Sequence, residues 1–591
     1  MLNQLVRYTE RLGLAGPGFT PKRIKWAIHC TPDGRLMGVN ELSDGSGKKK
    51  NSGREFAVCP ETSGMNSGGK SHFLVETLET VLLMCKEEKD RPKFEAKHAF
   101  FVKQLRDAAS VCPEMGRFAD LIDDEPARDK MVEQLNEQKA KSTDKVTLMV
   151  HDREQPFLVE DTIWRDWWAD YRKTLGKAPP KKKGRASAKK SNGRMRCFVS
   201  GEMVEPAKTH PKITGLTDVG ASAMGAPLIS FDKDALCSYG LKKSANAAMS
   251  EESAAAYRAG LNHVIANHSR ALAGAKVAYW FDKQVFPEAD APQRLFGGGD
   301  EQQEREALEK AQELLDSIRA GTAPTFATDN HYYALTLSGN AGRVVVRDWI
   351  TGPFEELLGN VLDWFKHFAI VHRAGDGLAR PPKFMAILGG LVRDLKDVPA
   401  PLVASMWAAA IKGARTPIPR TALTRAVDRA KIDALADKPP NHARMGLIKA
   451  YHMRKGDTQM ATHLNEDHPS KAYQCGRLMA VLANVQYAAM GDVGAGVIQR
   501  YYAAASATPA LVLGRLTRLS QFHLNKLDKG LAKWFERIIG DIWSKIEDGP
   551  ARTLTLEEQS LFAMGFYQQK AARWNSKTEE GKTEEKEQPE E

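Results

Sequence analysis

A change of pattern near Phe354 limits most strongly what this chain can fold into. From about Phe354 to Trp574 there is little β-branched alternation and much Ala, Leu and Arg at helical spacing. Such periodicity specifies a stack of roughly nine helices and excludes a sheet over that stretch. Upstream of Phe354 the signals are mixed. Residues 24–42 read as a hairpin turning at Pro32-Asp33-Gly34, and residues 71–85 and 93–107 read as helices. A second hairpin is expected over 145–159, and the Trp-rich stretch 162–175 reads as a helix. Beyond it, MRCFVSGEMVE turns at Ser200-Gly201, LISF (228–231) reads as a strand, and a helix starts at Ser250. The strand VAYWF (277–281), a charged helix over 301–320 and a hairpin over 331–349 turning near Gly339-Asn340 complete this half. The predicted class is α+β: a mixed N-terminal region of antiparallel hairpins and helices, followed by an all-α C-terminal helical bundle.

The domain plan follows from these changes. Residues 1–353 form an N-terminal α+β domain, 354–468 a helical connecting region, 469–575 a C-terminal bundle, and 576–591 a disordered acidic tail with three Lys against seven Glu. The chain has 591 residues, 42% hydrophobic and 27% charged, with a net charge of +11. Neither a membrane-spanning run nor a signal peptide is visible, so a cytoplasmic protein without membrane contact is expected. The seven cysteines are scattered and odd in number, against a disulfide framework or a thiolate zinc site.

The positive charge is concentrated. Residues 172–196 hold eleven Lys/Arg and no Asp/Glu, including Lys181, Lys182, Lys183, Arg185, Lys189 and Lys190. A segment of uniform sign broken by Pro and Gly stays out of a core and suits sequence-independent phosphate contact; a solvated linker is the competing reading. Lys48, Lys49, Lys50, Arg54, Asn66, Ser67 and Lys70 lie in a Gly/Ser-rich stretch. Small residues there allow close backbone approach to DNA and the polar ones supply donors, as minor-groove readout requires. A flexible surface loop would have the same composition. Toward the C-terminus, Arg477, Arg500, Arg515, Arg518 and Lys526 supply a positive surface suited to single-stranded DNA.

Enzyme motifs are thin. Gly64-Met65-Asn66-Ser67-Gly68-Gly69-Lys70-Ser71 matches the phosphate-cradling loop of nucleotide hydrolases, with Asp152 as a candidate metal carboxylate. The preceding EFAVC is short and separated from Gly64 by four residues, which is poor context for a βαβ unit. There is no H-E-x-x-H or G-x-S-x-G. The pairs His263/His268, His367/His372 and His463/His468 are spaced i,i+5 and do not stack on one helix face. Glu95-Ala96-Lys97 has no preceding acidic ligand. No catalytic residue, metal or cofactor is assigned.

Longer motifs carry a resemblance. They begin with MLNQLVRYTERLG…GPGFTPKRIKWAI and the Thr62-Ser63-Gly64 loop running into Phe73-Leu74. The most specific block is Cys197-Phe-Val-Ser-Gly201, His210-Pro211, Gly225, Ser230-Phe231, Ser238-Tyr239-Gly240, Asn246, Ser250-Glu251, Tyr257 and Leu261-Asn262. Ser338–Arg343, Tyr473–Leu478, Tyr501–Ala510 and Phe562–Tyr567 follow in order. In these the chain resembles the large subunit of subtype I-C CRISPR Cascade complexes, the RNA-guided DNA-surveillance assemblies of bacteria. It departs from that family at Asp232, where Asn is usual, and in the small-residue loop after Gly64. The Gly-Lys-Ser pattern is not a family feature, and the basic run looks like an insertion.

The resemblance implies a non-catalytic protein of antiviral defence. Its partners would be target double-stranded DNA, the guide CRISPR RNA, the backbone and 5′-handle-binding subunits, and a helicase-nuclease. Guide pairing reads the sequence, while the protein reads a short protospacer-adjacent motif, opens the duplex and holds the displaced strand. Thr62, Ser63, Asn66, Ser67 and Lys70 are the candidates for motif reading. A free small subunit made from the C-terminal region, starting near Met479 or a nearby Met such as Met460, is also implied.

Overall fold

A cluster of tryptophans organises the N-terminal half. The structure, a computed structural model, describes residues 1–14, 16, 18–43, 53–62, 69–175, 193–231, 233–237, 239–297, 300–340 and 342–584, with side chains followed to 572 except at 88 and 234. The chain divides into two compact units, Met1–Lys212 with Ile229–His263, and Ile213–Leu228 with Val264–Glu591. The class is α+β as predicted.

In the first unit, α1 (Leu2–Arg11) precedes β1 (Phe19–Ile24), β2 (Trp26–Cys30), β3 (Leu36–Glu41), β4 (Arg54–Pro60) and β5 (Glu76–Thr77). Then come α2 (Leu78–Val81), α3 (Arg91–Ala108), α4 (Pro113–Asp123), α5 (Glu125–Glu137), β6 (Lys145–Val150), α6 (Arg165–Leu175), β7 (Met195–Arg196) and β8 (Met203–Val204). Among the described residues these strands form an antiparallel β1–β4 ribbon, a four-stranded sheet in the order β3-β2-β6-β5 and a two-stranded β7–β8 hairpin. The β2–β3 hairpin is the one expected over 24–42. VTLMV behaves otherwise. It is β6, and it pairs parallel to β2 with Ile28 beside Leu148. Its expected return arm is reduced to a Met149–Phe157 bridge.

The helix expected over 71–85 shrinks to α2. Phe73 is fully buried, stacked on Trp168 at 5.2 Å and edge-on to Trp164 at 5.7 Å. Leu74 turns through φ 58°, and Glu76-Thr77 pairs with the edge of β6. Burial of one ring and closure of a sheet edge outweigh the helical periodicity of the segment. The indoles of Trp164 and Trp168 donate to the carbonyls of Leu158 (2.7 Å) and Gly18 (3.0 Å), so the cluster is apolar in its rings and satisfied at its polar edges.

Helix α7 (Glu251–Asn267) begins in the first unit and ends in the second. There β9 (Ser269–Leu272), β10 (Ala275–Phe281), α8 (Ala291–Phe296), α9 (Glu301–Arg319), β11 (His331–Asn340) and β12 (Arg343–Pro353) form an antiparallel sheet in sequence order with two helices. A capping box at Asp300/Gln303 starts α9. The long hairpin closes on Asn340–Arg343, two residues later than predicted, with Gly342 at φ 86°. LISF is not a strand; the short strand there is Ala226–Pro227.

Ten α-helices follow among the described residues: α10 (Phe354–Phe368), α11 (Phe384–Gly389), α12 (Ala400–Ile411), α13 (Arg420–Leu435), α14 (His442–Arg454), α15 (Lys471–Met490), α16 (Val497–Ala507), α17 (Pro509–Leu524), α18 (Lys529–Ser544) and α19 (Leu556–Glu584). Pro509 sits in the first turn of α17, as its fixed φ favours. The backbone of α19 runs to Glu584, so the first residues of the acidic tail are helical rather than disordered. Lys and Glu are strong helix formers and here extend a helix already nucleated.

Helix α14 carries cations to its neighbours. Lys449 Nζ donates to the Lys366 and His367 carbonyls at the end of α10, and Arg454 to those of Ala409 in the last turn of α12 and Thr416 beyond it. Positive charge at helix C-termini offsets part of the cost of burying it. That cost is visible: desolvation pulls the Lys449 ammonium down to about 8. On the same helix His452 Nε2 meets Ser560 Oγ of α19 at 2.7 Å. Among the described residues no helix is long and apolar enough to cross a membrane.

Candidate nucleic-acid interface

The loop-borne candidates divide by where the structure describes them. Lys48, Lys49, Lys50, Ser63, Asn66, Ser67, Lys181, Lys182, Lys183, Arg185, Lys189 and Lys190 lie outside the described residues. Their flanks are described. A bridge between Ser43 and Gly53 closes the base of residues 44–52. Strand β4 then leads directly to Thr62, the residue before the segment 63–68.

Thr62 is fully buried and does not face solvent, contrary to the expectation that it reads DNA. Its backbone N–H donates to His72 Nδ1 at 3.1 Å. Its hydroxyl lies 2.9 Å from the same nitrogen and 3.3 Å from the Ser71 carbonyl. Since Nδ1 accepts from the amide, the neutral imidazole carries its proton on Nε2. The His72 amide in turn donates to Glu76 Oε2 at 2.8 Å. Both ends of the segment 63–68 are therefore pinned to one histidine, next to the buried Phe73 ring.

Below this latch lies Lys22, buried, with Nζ donating to the Pro60 carbonyl at 2.9 Å. Burial lowers its ammonium to about 8, against the pull of Cys59, Glu76 and Glu61. Burial and then the Lys22 charge hold His72 at about 4. Arg258 of α7 pairs with Glu61 at 2.7 Å and donates to the Phe19 carbonyl, tying the same corner to a third element. The sequence reading missed His72, Lys22 and Arg258. His72 and Lys22 lay inside quoted motifs, but no pattern announces Arg258.

Lys70 connects two of the candidate regions. Its Nζ donates to the Leu175 carbonyl at 3.1 Å. Leu175 ends α6 inside the basic run and is the last described residue before 176–192, so this hydrogen bond brings together the roots of 63–68 and 176–192. Arg54 lies 4.8 Å from the rings of Phe56 and of Phe157 and pairs with Glu160 at 2.6 Å, so its charge is already matched within the fold.

The nucleotide-hydrolase alternative fails on this geometry. Ser71 is buried with its Oγ on Gln104, no helix starts at Lys70, and the strand before the loop lies in an antiparallel ribbon. A phosphate loop needs its amides and hydroxyl at a helix N-terminus. Among the described residues no cluster of three His, Cys, Asp or Glu is placed to hold a metal ion.

In the C-terminal bundle, Arg500, Arg515, Arg518 and Lys526 are exposed. Leu511, Arg515, Arg518 and Phe522 form one stripe along α17, and Lys526 continues it past the helix end. Phe522 is exposed at the surface among these cations, a ring that the sequence reading passed over. Arg477 is different. It is 3% exposed and bonded to Gln569, Gln474 and the Glu466 carbonyl, so it joins α15 to α19 and offers no surface to a strand.

His72 and His452 make the fold acid-sensitive. Burial places both near 4, below the roughly 6.5 of an unfolded histidine. As pH falls through 6.5 the unfolded chain takes up protons that the native state refuses, so stability present at pH 7 is lost progressively toward pH 4. The loss by pH 5 is on the order of 2 kcal/mol for each group. Urea melts at pH 7 and pH 5 are expected to show this fall, and His452→Gln and His72→Gln should each reduce it. An unchanged pH dependence in both variants would contradict the assignment.

Against known proteins, no curated protein matches the chain. The model of one family, described as CRISPR-associated protein (Cas_Csd1), matches residues 5–574. A match over nearly the whole sequence, through both units and across the motifs from the N-terminal helix to Phe562–Tyr567, places the chain in the Cas_Csd1 family, that of the large subunit of subtype I-C CRISPR Cascade complexes.

Proposed function

We propose that this Cascade large subunit is a non-catalytic DNA-engaging protein. Residues 1–353 recognise the protospacer-adjacent motif in duplex DNA and promote opening, so that guide RNA can pair in an R-loop. Ser63, Asn66, Ser67 and Lys70 read the motif. Lys48, Lys49, Lys50 and the basic segment hold phosphates without regard to sequence. Residues 354–468 connect this part to the bundle 469–575, where Arg500, Arg515, Arg518 and Lys526 steady the displaced strand. The assembled surface helps recruit the helicase-nuclease. Forming an R-loop exchanges one duplex for another of similar stability, so a few phosphate contacts suffice to tip it.

The observation that carries this reading is the hydrogen bond from Lys70 Nζ to the Leu175 carbonyl. It brings together residues that flank 63–68 and 176–192, which supports pairing a reader of few bases with a holder of phosphates. The test uses the assembled complex and duplexes with and without the flanking motif. Substituting Asn66, Ser67 or Lys70 by Ala should weaken motif-bearing duplex about tenfold, as removal of one good base-edge interaction does, and leave scrambled duplex nearly unchanged. Neutralising Lys181, Lys182 and Lys183 should weaken both duplexes and lower the salt slope by about 0.9 for each phosphate that the protein no longer neutralises. Equal weakening on both duplexes from the loop variants would remove the motif-reading role.

A further inference from the structure

Two exposed aromatic rings stand on one tightly tied part of the first unit. The hairpin β7–β8 closes at Gly201, φ 77°, with the Cys197 amide on the Glu202 carbonyl at 2.7 Å. The Phe198 amide donates to Ala248 and that of Ala207 to Met249, at 2.7 and 2.8 Å. His210 Nε2 reaches the Ala247 carbonyl at 3.0 Å, and Tyr257 closes on its other nitrogen. Segments 197–210 and 244–249 are thereby one body with buried Cys197, Met249 and Tyr257 beneath it. Phe198, in the first segment, is 71% exposed; Tyr239, 99% exposed, precedes the second, whose Asn246 Nδ2 donates to the Leu241 and Lys243 carbonyls at 3.3 and 3.0 Å.

The backbone under Tyr239 is strained. Tyr239 and Lys243 both occupy the left-handed region at φ 52°, where bulky non-glycine residues are uncommon. Strain kept in a surface loop that buries none of its large side chain is the kind found at recognition sites. The surrounding charge names the partner. Among the described side chains of 194–203, 233–237 and 239–243, Arg194, Arg196, Lys233, Lys242 and Lys243 stand against Glu202 alone. Rings carried on segments rich in cations, with Met203 and Leu236 also exposed, match a chain with aromatic faces and regular negative charge.

We propose that Phe198 and Tyr239 are a stacking platform for unpaired bases of a single-stranded nucleic acid, with Arg196, Lys242 and Lys243 holding its phosphates. This rests on the reading of the chain as a nucleic-acid-handling subunit, and it concerns a different surface from the motif-reading loop.

The test is anisotropy titration of the purified full chain with fluorescein-labelled 12-nucleotide single strands, one RNA and one DNA, of mixed sequence. Tyr239→Ala and Phe198→Ala should each weaken binding about tenfold, while Tyr239→Phe keeps it, because the ring face and not the hydroxyl stacks on the base. Lys242→Ala with Lys243→Ala should flatten the salt dependence by about 0.7 for each phosphate left without its cation. Weakening with the RNA alone identifies the guide as the source, and weakening with the DNA alone identifies the displaced strand; either supports the platform. Affinities within twofold of the parent for both strands in both alanine variants would overturn it. So would intact strand binding combined with loss of a protein subunit from nuclease-treated complex, which would make the surface a protein–protein interface. Motif-bearing duplex binding, measured on the same variants in the complex, separates the two readings. If Tyr239→Ala is silent on single strands while Lys70→Ala still costs motif recognition, only the platform falls.

Discussion

Replacing Gly476 by alanine is expected to cost the second unit about 3 kcal/mol or more, the upper range of overpacking in a core that cannot yield. Helices α15 and α19 meet there backbone to backbone. A Cβ at Gly476 would overlap the Phe562 carbonyl oxygen and lie 2.8 Å from the Phe566 nitrogen, and one at Gly565 would overlap the Tyr473 carbonyl oxygen. The atoms in the way belong to helical backbone, not to the end of a flexible side chain, so relief requires the helices to separate. Separation would also stretch the Tyr473–Gln568 and Arg477–Gln569 hydrogen bonds, 2.5 and 2.8 Å long, in a buried polar network. Gly514 and Gly540 provide the control. Both lie inside helices with open space where a Cβ would be, so Gly514→Ala and Gly540→Ala should stabilise by about 0.5–1 kcal/mol through helix propensity. Chemical denaturation followed by circular dichroism reads all three variants. A Gly476→Ala protein as stable as the parent would mean that the two helices do not touch in this way.

A polypeptide beginning at Met460 should fold, and one beginning at Met479 should not. Both are candidate starts for the proposed small subunit. Met479 lies inside α15, so a start there removes Lys471–Leu478 and with it Ala472, Tyr473, Cys475, Gly476, Arg477 and Leu478, all buried. The apolar members among these are worth about 1.5–3 kcal/mol for each large side chain, against the roughly 5–15 kcal/mol that stabilises a typical domain. Met460 precedes the loop whose Glu466 and His468 carbonyls accept from Gln474, so that start keeps the whole network. The bundle is nonetheless not self-contained. One face of α19, including Ala563, Met564, Tyr567 and Ala571, belongs to the larger core shared with α13 and α14. A free bundle exposes that face and is expected to self-associate or dock. Expression of the two versions, with solubility, helical content and size measured, checks both statements. A soluble, cooperatively melting product from Met479 would contradict the account of α15. Intact-mass analysis of the complex made from the unmodified gene should then show a small subunit starting at Met460; a complex without any such species would end the proposal of a second product.

The sequence was informative where periodicity alone decides an element. The helices from Phe354 onward, the hairpin over 24–42 and the knuckle at Ser200-Gly201 appear where alternation and turn residues put them, and the hairpin over 331–349 turns within two residues of its expected place, because each is stabilised by interactions close in sequence. The family motifs, spread along the chain, were legible because they are linear. Tertiary structure decided the rest. Phe73 found a tryptophan cluster that only folding assembles, and its segment became extended instead of helical. VTLMV found β2 and became a parallel strand. Arg477 and Thr62, polar residues that a linear reading sets on the surface, became interior because partners elsewhere in the chain, Gln569 and His72, satisfy them there. The juxtaposition of Lys70 with Leu175 joins residues that lie 105 positions apart. No local pattern encodes it, since a side-chain hydrogen bond forms only after the packing around it has fixed both ends.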